Sequence, residues 1–237
     1  MNAESVIGLI LNYFLVLACI ILFMAPFYIL YIRSIGGVFD TKHDFNHHLE
    51  KFFTSRYANW LVFFWAMGEA LVWFVIPEFL LLLLVFMRID KRRQLLYYDI
   101  YGTIAGTALA FAIHLPERLI SKLPYVQPKM VGQVNAWYSH HGILGLAYQP
   151  FSGVPYKVFT HLAPDYHFFI LGFIIFAVLV RISRYYIIYA ILTSVYNSLH
   201  RYVSHNYIKL FLAGTFIFTV LLLRVYSEFG PGYHIHG

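Results

Sequence analysis

The chain has 237 residues, 60% of them hydrophobic and only 12% charged, with a formal net charge of +6. A soluble domain carries about 25% charged residues, and the apolar residues here come in blocks long enough to cross a ~30 Å hydrocarbon core, which takes about 20 residues of helix. This composition excludes an ordinary soluble domain. It also turns the sequence pI of 9.3 away from nucleic acid, because the basic residues flank apolar blocks, where they anchor and orient membrane spans.

In chain order, Val6–Ile32 reads as a first span with Pro26 late in it. The start MNAES lacks a basic region and the apolar run is too long for a signal peptide, so a retained helix is expected. Cys19, the single cysteine, allows no internal disulfide and no cysteine-based metal site, and it fits as a small packing residue. Arg33–Arg56 is polar, with Arg33, Lys42, Lys51, Arg56, Asp40, Asp44 and Glu50. The periodic Phe39, Phe45, Leu49, Phe52 and Phe53 give it an amphipathic, membrane-surface character.

Trp60–Met87 is apolar but interrupted by Glu69, Pro77 and Glu78, and the basic turn Arg88–Arg93 follows. Leu95–Ile113 reads as a helix in which Gly102 and Gly106 form a GxxxG surface for close helix approach. His114–Gln133 reads as a polar connection containing Pro116, Pro124 and Pro128. Ala136–Ala163 is a second interrupted apolar block, broken by Pro150, Gly153, Pro155 and Lys157. Tyr166–Leu192 reads as a span, Asn197–Asn206 as a polar loop, and Ile208–Tyr226 as the last span before a loose tail. The chain thus divides into residues 1–56, a core of 57–192, and a C-terminal part of 193–237.

Two basic segments, Arg33–Arg56 and Arg88–Arg93, flank the first interrupted block. A single crossing between them would put one on the wrong side of the membrane, whereas an in-and-out hairpin keeps both cytoplasmic. As one helix the block would extend ~42 Å, while two arms reach only ~20 Å each. The second block then enters from the opposite side. The expected fold is therefore an all-α integral membrane protein, multi-pass, with two opposed re-entrant helical hairpins. Paired interruptions of this kind point to a binding site inside the membrane, and non-helical backbone at that depth needs protein or a water-filled cavity around it.

The stretch HHGILGLAYQPFSGVPYKVFTHLA resembles the signature of the DedA superfamily, also called VTT-domain or SNARE-associated Golgi proteins, and within it the YqaA-like branch. Three further elements fall in the family's order: Glu69 with Pro77-Glu78, the glycine-rich Tyr101–Gly106, and the basic-aromatic Arg181–Tyr186. The resemblance covers roughly Trp60–Tyr186. Two positions depart from the family pattern, with Pro164-Asp165 where it has a glycine and Gln149 where it has an arginine. The resemblance implies movement of lipids or lipid carriers between leaflets, often dependent on the proton gradient. It also implies a multi-pass location in a prokaryotic plasma (inner) membrane.

Glu69 and Glu78 are the strongest candidate transport residues, because an acid deep in a bilayer is costly and normally faces a cavity where it does a job. Nine residues apart, they would lie on opposite faces of a straight helix, but the break at Pro77 lets them converge as proton carriers. The bland alternative is that one of them binds backbone N–H groups at the break. Lys157 could neutralise these acids or hold a phosphate as a point charge, against simple snorkelling to the interface. Arg181 and Arg184 share a helix face and suit bidentate phosphate contact, against interfacial anchoring. Asp99 and Asp165 read as helix-end residues.

The 12 histidines raise a metal alternative. His43-x3-His47-His48 has the spacing of one box of a membrane di-iron oxidase, but His140-His141 and His200-x4-His205 do not complete a set. The leading expectation is a non-enzymatic lipid scramblase or flippase for phospholipid or polyprenyl-phosphate, coupled to protons, with no cofactor, no metal and no nucleic-acid partner. It leaves a homo-oligomer open. A proton-coupled carrier of a small ion or solute is the second expectation and a histidine-ligated membrane oxidase the third.

Overall fold

The computed structural model describes residues 3–35, 45–76, 79 and 92–230, and among them every regular element is helical. The long apolar runs form α1 (Ala3–Ser34), α3 (Arg56–Leu71), α4 (Arg92–Ile113), α9 (Ile170–His205) and α10 (Tyr207–Glu228). The amphipathic stretch forms α2 (Phe45–Phe53). Shorter pieces lie between α4 and α9: α5 (Glu117–Ile120), α6 (Pro128–His141), a 3-10 segment (Gly142–Tyr148), α7 (Gln149–Ser152), α8 (Tyr156–Leu162) and a 3-10 turn (Ala163–Tyr166).

Two helices, Val6–Ser34 and Tyr207–Glu228, are long and apolar enough to cross a membrane. Both turn large apolar side chains outward, among them Leu11, Leu22, Ile217 and Leu221. An aqueous surface rarely carries so continuous an apolar face.

The centre of the fold is the α3–α4 pair. Trp60 meets Tyr98, with ring centroids 5.7 Å apart. Further along, Gly102 lies against Phe63 and Ala66, and Gly106 against Met67 and Ala70. These contacts advance together along both helices, so α3 and α4 run parallel and begin at the same end of the molecule. The chain that leaves α3 therefore regains that end before α4 starts. α1 runs antiparallel to α3, with Tyr31 against Tyr57, Phe27 against Phe64 and Phe23 against Trp65. At the end where α3 and α4 begin, α2 inserts Phe52 against Tyr28 and Tyr31, and Phe53 against Tyr207.

At the opposite end Tyr166 donates to the Asn135 carbonyl (3.0 Å) and its side-chain oxygen (3.2 Å). The segment between these residues, which holds the second interrupted block, thus leaves from and returns to one place. Gly153, at φ 72, makes the left-handed turn inside it, and Pro155 caps the start of α8. Pro150 sits in the first turn of α7, where a missing N–H is tolerated.

Two sequence expectations are corrected. The connection expected over His114–Gln133 is partly helical, because α6 already starts at Pro128, a residue whose fixed φ suits a first helical position. The loop expected over Asn197–Asn206 is helix as far as His205, since α9 contains no proline and its only glycine, Gly172, sits in the first turn. Pro77 and Glu78 lie outside the described residues.

A Cβ on Gly102 would overlap the Phe63 carbonyl oxygen, and one on Gly106 would stand 2.6 Å from the Met67 carbonyl oxygen. Gly102→Ala should therefore lower stability by about 1–3 kcal/mol, the usual cost of overpacking. Gly132→Ala, where a Cβ meets nothing within 4 Å, should not lower it. Thermal unfolding in detergent reads the difference.

Candidate functional site

α3 stops abruptly inside the molecule. Its final residue is Leu71, and the backbone leaves helical geometry at Val72, φ −145 and ψ −21. A helix end leaves its last carbonyls without intrahelical donors, and in a water-poor interior each of these must find another partner.

One short helix supplies them. From α8, Thr160 Oγ1 donates to the Ala70 carbonyl (2.7 Å), His161 Nε2 to the Leu71 carbonyl (3.0 Å) and Lys157 Nζ to the Val72 carbonyl (2.9 Å). Lys157 also donates to the Pro124 carbonyl at 2.6 Å, and Trp65 Nε1 to the Val75 carbonyl at 2.8 Å. Thr160, His161 and Lys157 are all buried, Lys157 completely. The negative end of the α3 dipole favours a cation at this point. The sequence left acid neutralisation, phosphate binding and snorkelling open for Lys157, and its ammonium holds the Val72 and Pro124 carbonyls.

Within its last turn, α3 buries Glu69, and the carboxylate accepts a hydrogen bond from the Arg181 guanidinium of α9 in an ion pair whose side chains are 4% and 3% exposed. The guanidinium carbon lies 4.6 Å from the centre of the Tyr156 ring. A cation desolvated over an aromatic face gains electrostatic stabilisation. The Tyr156 hydroxyl is 2.9 Å from Thr107 Oγ1. Thr107 gives its proton to the Thr103 carbonyl (2.7 Å), which makes Tyr156 the donor to Thr107. Helices α3, α4, α8 and α9 therefore meet in one buried polar cluster. Glu69 lies ~20 Å from the start of α3 at 1.5 Å per residue.

Other candidate residues fall around this cluster. Arg184 donates to Gln149 Oε1 at 3.2 Å, so Gln149 faces the second arginine of α9. Asp99, expected at a helix end, is fully buried inside α4. Asp165 accepts from His114 at 2.7 Å on the half-exposed rim. Gly102 and Gly106 bring α4 against α3, which sets the level of Thr107 beside Glu69.

Among the described residues, no group of three His, Cys, Asp or Glu side chains could hold a metal ion. His43 and the side chains of His47, His200 and His205 lie outside the described residues. A separate apolar groove of about 390 Å³ runs between α1, α2 and α10, lined by residues including Leu17, Met24, Phe52 and Phe211.

Sequence inspection missed Tyr156, Thr160, His161 and Thr107. The first three belong to the same turns as the singled-out Lys157, and their spacing over 156–161 was the available signal. No family model, curated protein or solved structure matches the chain.

Removing one partner of a buried ion pair leaves the other charge uncompensated, at a cost of about 3–5 kcal/mol, whereas replacing both with apolar residues is far milder. Arg181→Met should fall in that range, and the double variant Glu69→Leu/Arg181→Met should recover most of the loss, as read by unfolding of the four proteins. Thr160→Val strips the donor from the Ala70 carbonyl and should cost about 1–3 kcal/mol by the same measurement.

Proposed function

We propose that this chain is a multi-pass membrane protein that carries a phosphate-bearing lipid, phospholipid or polyprenyl-phosphate, between leaflets, in the manner implied by its resemblance to the DedA superfamily. The observation that carries this reading is the buried Glu69–Arg181 pair beside Lys157, set where α3 breaks off inside a molecule with apolar outer helices. Intramembrane charges are expensive and mark substrate or ion pathways, and broken helices ending at buried charge are the usual architecture of a transporter site.

The layout supports two re-entrant hairpins. α3 and α4 start at one end, which favours a first interrupted block that enters and leaves by the same face. Asn135 and Tyr166 join the two ends of the second block at the other face. Arg33, Lys51, Arg56 and Arg93 collect at the first face, which the positive-inside tendency places in the cytoplasm.

In this reading Glu69 exchanges Arg181 for a proton during the cycle, and Glu78 shares that task. Once Glu69 is neutral, the Arg181 guanidinium is free to take a phosphate in a bidentate contact. Lys157 and Arg184 complete the positive lining, and acyl chains stay among the outer apolar faces.

A second reading has a specific observation behind it. Lys157 and Arg181 are already engaged by backbone carbonyls and by Glu69, and so compact a cluster also suits a proton-coupled carrier of a small ion or solute.

Leaflet exchange of a head-group-labelled phospholipid in proteoliposomes tests the proposal. Wild type should exchange lipid, while Glu69→Gln and Lys157→Ala should slow exchange at least about tenfold, equivalent to 1.4 kcal/mol, with the inserted protein still folded. Absence of exchange in inserted wild type, together with solute uptake driven by a proton gradient, would replace lipid movement with the second reading. Metal retained through purification would instead revive histidine-ligated oxidase chemistry.

A further inference from the structure

The polar cluster contains one more titratable side chain whose hydrogen bonding is incomplete. His161 is 1% exposed, and its Nε2 lies 3.0 Å from the Leu71 carbonyl oxygen. A carbonyl only accepts, so Nε2 carries the proton, and in the neutral ring Nδ1 is then a bare lone pair. Nδ1 is buried and has no hydrogen-bond partner among the described residues. Buried polar atoms are nearly always satisfied, and an exception asks what it is kept for.

A second histidine lies on the half-exposed rim near His161. His114 follows directly on α4 with φ 43, and its Nε2 lies 2.7 Å from Asp165 Oδ1, with side chains 48% and 44% exposed. Asp165 belongs to the 3-10 turn that follows α8, one turn beyond His161. His114 and Lys157 both lie within electrostatic range of His161.

We propose that His161 is a proton-binding residue of the buried cluster, loaded from the membrane surface through the His114–Asp165 pair. The inference rests on the transport reading above and assigns a proton site within it. The proton adds to the Nδ1 lone pair and leaves again from Nδ1, so no covalent bond in the protein breaks. The Nε2–H bond to Leu71 persists throughout, and the ring gains one positive charge.

The elements packed against α8 bring Glu69 on α3, His114 after α4, Glu117 and Arg118 on α5, Tyr138 on α6, and Asp165 and Tyr166 in the following turn, while α8 itself carries Lys157 and Tyr156. The Leu71 carbonyl at the end of α3 favours the added charge, whereas burial, Lys157 and His114 oppose it. Loading His161 therefore weakens the hold of Lys157 on the Val72 and Pro124 carbonyls, which links proton arrival to opening of the cluster.

Nitrogen-15 NMR of histidine-labelled full-length protein in lipid nanodiscs tests this directly. The signal that disappears in His161→Gln should show a bare Nδ1 and a protonated Nε2 at neutral pH, and should convert to imidazolium on acidification. Its midpoint should move in His114→Gln. An Nδ1–H tautomer, or a ring that stays neutral until the protein unfolds, would overturn the proposal.

Glutamine keeps a donor for Leu71, which favours folding of the variant. Should it fail to fold, carbonyl labelling of leucine identifies the same ring in wild type by its contact with Leu71. Lipid exchange by the same variants in proteoliposomes separates the two claims. Exchange in His161→Gln with an unchanged dependence on pH would overturn the proton site and leave transport standing. No exchange in wild type would remove the transport reading, and the nitrogen titration would still decide the role of His161.

Discussion

The structure depends on one constraint: α3 ends inside the molecule, and its last carbonyls must find donors where water is scarce. α8 meets that need with Lys157, Thr160 and His161, which bond to Val72, Ala70 and Leu71. These bonds fix the position of α8, and with it Tyr156, whose ring lies beside the Arg181 guanidinium. Arg181 in turn holds Glu69, in the last turn of the same helix. A backbone requirement and a charge requirement are thus satisfied by one short helix.

Close approach of α3 and α4 makes this arrangement available. The two helices run parallel because glycines at 102 and 106 admit the α3 backbone, and that approach places Thr107 of α4 level with Glu69 and within reach of Tyr156. A larger residue at either glycine would separate the helices and open a gap in the wall of the cluster. Opening of the cluster, which the proposed transport would require, faces the same difficulty. Any movement of α8 away from α3 exposes three carbonyls and a charge pair, so it must bring water or a polar ligand in as it goes.

Much of the helical layout was legible in the sequence. The first and last apolar runs are the two helices apolar enough to cross a membrane, and the glycines at 102 and 106 marked a close helix contact that the structure contains. Glu69 stands out because an acid in an apolar block needs a reason, and its partner Arg181 stands out because it shares a helix face with Arg184. Their pairing was not legible, because 112 positions separate them and nothing local ties one to the other. The capping roles of Thr160 and His161 were hidden likewise. A threonine or histidine near a proline has many uses, and only the arrival of the α3 end makes these two into caps. The polarity of Asn197–His205 suggests a loop, yet α9 continues through it, because the stretch contains no glycine or proline to stop a helix.

The central claim is that α3 and α4 enter a membrane from the same face and that the polar cluster lies between that face and the other. Labelling of single cysteines in sealed vesicles, on a Cys19→Ser background, tests it most directly with a membrane-impermeant maleimide. Lys51→Cys, Arg93→Cys and Lys122→Cys place one thiol before α3, one at the start of α4 and one beyond its far end, all at exposed positions. The account predicts that the first two react from the same side and the third only from the opposite side. Reaction of Lys51→Cys and Arg93→Cys from opposite sides would contradict it.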